Sequence, residues 1–159
     1  MLHDADIDGG KVRVGVMTFS TDVFINFYLL QHRTKTEVYR AVRSIPYIYG
    51  STNTADGLHT LRTEMFNPAN GDRPGVPNVA IVITDGISNL NSERTIPEAV
   101  MTHAAGIHIF VIGIGLTGDT PEIQALATPP AENNRFLVAN FDELKDIRRK
   151  VFSTVCERK

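Results

Sequence analysis

The stretch Val79-Ala80-Ile81-Val82-Ile83-Thr84-Asp85-Gly86 (VAIVITDG) decides the fold. An apolar run without polar alternation marks a strand buried on both faces, as in a parallel sheet. The run ends abruptly in Asp85-Gly86. Ligands of open parallel sheets bind at the carboxyl ends of the strands, so Asp85 is a candidate site residue. An aspartate before glycine is also ordinary turn chemistry. Against that reading, a carboxylate at the tip of a buried strand is costly unless hydrogen-bonded or paired with a cation.

Downstream, helices and strands alternate. A helix is expected from about Thr95 to Ala105, then a strand from Ile107 to Ile112. Thr120-Pro121-Glu122 opens a short helix with proline in its first turn. Phe136 to Ala139 reads as a short strand, and Asp142 is expected to cap a last helix running to about Cys156. This alternation is the α/β, doubly wound pattern of a mostly parallel sheet.

Upstream, Asn67 to Asn78 holds three prolines and two glycines and reads as a loop. Before it, a helix carries Leu58, Leu61, Met65 and Phe66 inward. Thr34-Lys35-Thr36-Glu37 is a capping box. It starts a helix with Val38, Ala41, Val42 and Ile45 on one face, ended by Pro46. Lys11 to Phe19 alternates as a strand, and Val23 to Leu29 follows it closely, giving an antiparallel edge hairpin.

Between the two upstream helices lies Gly50-Ser51-Thr52-Asn53-Thr54-Ala55-Asp56-Gly57. One side-chain acceptor suffices to cap a helix, and Ser51 or Thr54 would serve. Four polar side chains in a row exceed that need. A hard cation takes oxygen ligands, and Mg²⁺ keeps waters beside one or two carboxylates. The Thr52 hydroxyl with the Asp85 carboxylate would make half of such a site.

The chain has 159 residues, 42% apolar and 21% charged, with 16 basic and 18 acidic residues and a formal charge of −2. These values fit one globular domain with a sizeable core. No basic excess points to nucleic acid, and no apolar run is long enough for membrane insertion. The acidic start MLHDADIDGG is not a signal peptide, which reads as cytosolic if Met1 is the true start. The single cysteine, Cys156, is either an inert thiol or half of a disulfide whose partner lies outside this chain. The five histidines lack paired metal spacing, and no G-x-S-x-G supports a serine hydrolase. Tyr47 and Tyr49 flank the entrance to the GSTNTADG loop, either as half-buried aromatics or as a rim for a partner.

The strand KVRVGVMTFS, the loop YGSTNTADGL, the strands VAIVITDGISN and IHIFVIGIG, and the end RFLVANFDELKDI come in the order of a von Willebrand factor type A domain. The sequence resembles the extracellular-matrix branch of that family, as in collagens and matrilins, over nearly its whole length. The resemblance implies a non-enzymatic protein-binding and adhesion module of a secreted matrix protein. Its partners would be collagen or other matrix proteins. It further implies a metal-ion-dependent adhesion site in which Thr52 and Asp85 hold Mg²⁺ and a partner's carboxylate completes the coordination.

The first of the family's three ligand loops, Asp-x-Ser-x-Ser at the end of its first strand, is absent from these 159 residues. The resemblance then places the first, central strand and first helix ahead of this sequence. Residues 1–10 are expected as a linker remnant and 11–157 as one N-terminally incomplete domain. Metal binding is expected to be weak or absent, and the isolated chain to be unstable or prone to aggregate. The partner of Cys156, and a signal peptide, would lie in the same missing part.

Two alternatives remain. Gly113-Ile114-Gly115-Leu116-Thr117-Gly118 is a literal G-x-G-x-x-G after a strand, the mark of a nucleotide-binding enzyme. Asp119 would repel a pyrophosphate, and the next helix starts after the third glycine. The other alternative is a structural matrix module that holds no ligand.

Overall fold

A computed structural model describes residues 4–116, 118, 120–145 and 147. Strands β1 (Val16–Phe19) and β2 (Val23–Phe27) pair antiparallel, with an irregularity between Val16 and Met17. Helices α1 (Lys35–Arg43) and α2 (Thr54–Thr60) follow, and a wider π turn, Leu61–Met65, continues α2. Strand β3 (Asn78–Thr84), helix α3 (Ser92–Ala104), strand β4 (Ile107–Ile114), helices α4 (Pro121–Leu126) and α5 (Ala131–Asn134) and strand β5 (Arg135–Val138) complete the alternation.

Strands β3, β4 and β5 form a parallel sheet in that order. The expected doubly wound α/β fold with an antiparallel hairpin is therefore observed. Among the described residues the hairpin and the parallel sheet are two separate sheets, and β3 stands at the edge of its own.

Period-2 alternation splits β4 between two cores. Ile107, Ile109 and Val111 face α2, α3 and α4, packing with Leu58, Leu61, Met65, Ala99, Ile123 and Leu126. Phe110, Ile112 and Ile114 point to the other face, with Phe136, Val138 and partly buried Leu144 and Ile147. Parallel register puts Ile81 beside Phe110 and Ile83 beside Ile112 on that second face. There Ile81 and Ile83 are 37% and 45% exposed. The continuous apolar run thus predicts the strand correctly but overstates its cover.

Several boundaries differ from expectation. The strand expected from Lys11 pairs only from Val16, because β2 turns away at Tyr28, where Gln31 N–H donates to the Tyr28 carbonyl at 3.1 Å. Two arginines, Arg73 of the proline-rich loop and Arg13 of the stretch itself, tie the unpaired stretch to that loop. Arg73 donates to the Gly10 and Lys11 carbonyls at 3.1 and 2.7 Å, and Arg13 reaches back to the Gly71 carbonyl at 2.7 Å. In the expected linker 1–10, Ala5 and Ile7 are buried with Phe27 and Val38, and Asp8 accepts the Lys35 N–H at 2.9 Å.

Helix α3 starts at Ser92, ahead of the expected Thr95, and carries Pro97 inside it. Val42 of α1 is exposed and off the expected inward face, whereas Val38 is fully buried. The last cap among the described residues is Asn140, whose Oδ1 accepts the Asp142 and Glu143 N–H groups at 3.0 and 3.3 Å. Asp142 therefore sits inside a 3-10 turn, Phe141–Glu143. Most of the expected final helix, and Cys156, lie outside the described residues.

Candidate functional site

The GSTNTADG loop is clamped at both ends. Its first half leans on the β1–β2 turn: Ser51 N–H donates to Thr21 Oγ1 at 3.1 Å, and Asn53 N–H to the Ser20 carbonyl at 3.0 Å. A β-carbon on Gly50 would lie 2.7 Å from Thr21 Oγ1, so this close approach requires glycine. Thr52 ties the loop to the segment after β3. Thr52 N–H donates to Asn89 Oδ1 at 2.8 Å. Its carbonyl accepts from Asn89 N–H, Leu90 N–H and Ser88 Oγ at 3.0, 3.2 and 3.1 Å.

The Thr52 hydroxyl is the group left over. A β-carbon placed on Gly86 would lie 3.4 Å from Thr52 Oγ1, so this oxygen stands beside the Thr84-Asp85-Gly86 turn. Thr84 Oγ1 braces that turn by donating to the Gly86 carbonyl at 2.8 Å and accepting Gly86 N–H at 3.2 Å. Asp85 is exposed, and among the described residues its carboxylate takes no hydrogen bond or ion pair. The two predicted site residues therefore sit on one pair of adjacent loops at the carboxyl end of the parallel sheet. A hydroxyl and an uncommitted carboxylate are oxygen donors of the kind Mg²⁺ accepts. Among the described residues no group of three or more acidic, histidine or cysteine side chains gathers to hold a metal.

The cap is neither Ser51 nor Thr54. Asn53 caps α2: its Oδ1 accepts Asp56 N–H at 3.2 Å, and its Nδ2 donates to Asp56 Oδ2 at 2.7 Å. Asparagine wins because its amide both accepts and donates here. Asp56 Oδ1 in turn takes Arg94 Nη1 at 2.8 Å, and the largely buried Glu98 takes Arg62 Nη2 at 3.0 Å. This chain locks the start of α2 to α3.

The Thr54 hydroxyl has a different partner, the carboxylate of Glu122 in the first turn of α4. Glu122 Oε1 also accepts the Ser88 N–H at 2.9 Å. Burial pushes the Glu122 carboxyl above the ordinary carboxylate range, and the bonds from Ser88 and Thr54 oppose that rise. Glu122 thus joins the start of α2, the segment after β3 and the first turn of α4. Sequence reading misses this role. Its only sign is an acid in a helix's first turn, which ordinary capping also explains.

The GIGLTG stretch does not open a helix. Gly113 and Ile114 end β4, and α4 begins only at Pro121. A β-carbon on Gly113 would meet Leu116 Cδ1 at 2.7 Å and Leu137 Cδ2 at 2.8 Å, so packing alone explains this glycine. Thr117 and Asp119 lie outside the described residues. Tyr47 and Tyr49 are 78% and 85% exposed and stack edge to face at 4.6 Å, so they are not half-buried.

Fold and loops together define a doubly wound α/β module with a loop cluster bearing oxygen donors at the carboxyl end of its parallel sheet. The chain belongs to the von Willebrand factor type A domain family, which matches residues 1–150. Collagen alpha-6(VI) of Homo sapiens is 34% identical over 158 residues, 98% of this chain and 7% of that protein. Matrilin-1 of Gallus gallus is 29% identical over 156 residues, 98% of this chain and 31% of that protein. The chain therefore spans less than a third of these relatives.

Among solved structures, proximal thread matrix protein 1 from the mussel byssus superposes with a TM-score of 0.87 at 28% identity, covering 96% of this chain and 38% of that one. A second structure of it, described as having a zinc-occupied MIDAS motif, gives 0.83 at 29% identity over 91% of this chain and 36% of that one. No described helix is long and apolar enough to cross a membrane.

Proposed function

We propose that this chain is a non-enzymatic protein-binding module of an extracellular-matrix protein. It contacts collagen or another matrix protein through a metal held in part by Thr52 and Asp85. The observation that carries this reading is the Thr52 hydroxyl beside the T-D-G turn, 3.4 Å from a β-carbon position on Gly86. In addition, the Asp85 carboxylate has no partner among the described residues. Matrix relatives and a neighbour with a metal-occupied site support it. Thr52 would bind Mg²⁺ directly, and Asp85 directly or through water. With one hydroxyl and one carboxylate, waters fill the remaining positions and affinity is low.

Isothermal titration with Mg²⁺ and Mn²⁺ tests this. The expected dissociation constant is weaker than about 100 µM, and Thr52→Ala or Asp85→Ala abolishes the remaining heat. Micromolar affinity would contradict the incomplete site. Identical titrations for wild type and Asp85→Ala would remove Asp85 from it. The reading also places the chain outside the cell and makes Cys156 one half of a disulfide to a cysteine beyond these residues.

A further inference from the structure

We propose that the outward face of α1 is a docking surface for a sulfated polysaccharide. Between Arg33 and Gly50 the sequence carries four cations, Arg33, Lys35, Arg40 and Arg43, against one acid, Glu37. Four minus one gives this segment a formal charge of +3, and Asp8, which accepts the Lys35 N–H at 2.9 Å, lowers the local sum to +2, in a chain whose total is −2. Glu37 keeps its charge, already counted in that sum, but pairs with none of the arginines, because its Oε2 is turned back to accept the Arg33 and Thr34 N–H groups at 2.8 and 3.1 Å. Arg33, Arg40 and Arg43 are exposed, and among the described residues none of the three forms an ion pair. Arg62 and Arg94, in contrast, are committed to Glu98 and Asp56.

The face has relief as well as charge. A hollow of about 490 Å³ is lined by Thr36, Tyr39, Arg40 and Arg43. Arg40 also borders a second hollow, of about 540 Å³, with His32, Ser44 and Pro46 among its walls. Thr36, Arg40 and Arg43 follow the i, i+4, i+7 spacing that keeps side chains on one stripe. From Arg33 to Arg43 the row is roughly 15 Å long at helical rise. A row of that length matches an extended chain with repeated charges better than a single ion.

Guanidinium forks bind planar pairs of anionic oxygens. Tyr39 adds an apolar ring with a polar tip, suited to the mixed faces of a sugar. Thr36, Tyr39, Arg40 and Arg43 line the first hollow, and no described Leu, Ile, Val, Met or Phe stands among its walls to receive an apolar protein anchor. These features favour an anionic glycan over a folded protein partner.

The test is retention on immobilised heparin in low salt with EDTA present, which separates it from metal binding at Thr52 and Asp85. Wild type is expected to be retained. Arg40→Gln with Arg43→Gln should bind roughly tenfold or more weakly while keeping its circular dichroism and melt. Lys11→Gln with Lys145→Gln removes the same charge elsewhere and should elute with wild type. Three outcomes would overturn the proposal: no wild-type retention, equal elution of the arginine variant, or an equally early Lys11/Lys145 variant. A fourth is duplex DNA competing better than heparin at equal charge.

Discussion

Glu122 shows how one carboxyl can organise loops that are far apart in sequence. It lies 34 residues from Ser88 and joins that residue to Thr54. Its folded-state pKa is raised above the ordinary 4.5, chiefly by burial. The sign follows from linkage. A raised pKa means that folding favours the protonated form. Its stabilising contribution is complete below the ordinary value and is lost as pH rises through the folded value. Glutamine cannot titrate, yet it keeps an oxygen for the Ser88 N–H. The Thr54 hydroxyl can rotate to accept from the glutamine NH₂ group. The melting temperature of Glu122→Gln minus that of wild type should therefore grow as pH rises from about 4 to about 8. Other carboxylates titrate alike in both proteins and cancel. A flat difference would show that Glu122 is not held against its charge.

At the scale of elements, α2 depends on a side chain that capping statistics rank among several candidates. Asn53 is 1% exposed and holds Asp56 through both its oxygen and its nitrogen. Asn53→Ala removes a cap, which alone costs about 1 kcal/mol. It also takes a donor from Asp56, whose other oxygen anchors Arg94. The expected loss is about 2 kcal/mol in urea unfolding. Asn53→Asp restores the acceptor but sets a second carboxylate against Asp56. It should therefore recover little, and full recovery by aspartate would reduce Asn53 to a simple cap.

The same residue shows where sequence reading stops. The strands VAIVIT and IHIFVI are legible because core burial imposes long apolar runs, and the box at Thr34 and Glu37 is legible because both halves are local. Thr52 and Asp85 stand out because a loop offers more hydroxyls than capping needs and a buried strand ends in an acid. Asn53, Asn140 and the left-handed Asn91 before α3 shift helix starts by a few residues, since several neighbours compete for each cap. Glu122 and the paired arginines are illegible because tertiary contacts between distant segments define their roles.

For the whole molecule, the decisive feature is that β3 stands at the edge of its sheet among the described residues. Central strands of doubly wound sheets are expected to be covered on both faces and paired on both sides. Here Ile81 and Ile83 show 37% and 45% of their surface. The VAIVIT run carries no charge and no proline, the composition of a segment that recruits further strands. Natural edges avoid this with charges, prolines or bulges, none of which β3 has. The isolated chain should therefore self-associate through β3, with light scattering that rises with protein concentration. Ile83→Lys places a charge on the exposed face without touching the packed residues Ala80 and Val82. It should cut the scattering while lowering unfolding free energy by about 1 kcal/mol, the worth of the half-covered isoleucine surface it gives up. Ala80→Lys would instead enter the core beside Ile109 and unfold the chain, so it marks the opposite face of the same strand. Unchanged scattering in an Ile83→Lys variant that still unfolds cooperatively would mean that the molecule associates through another surface.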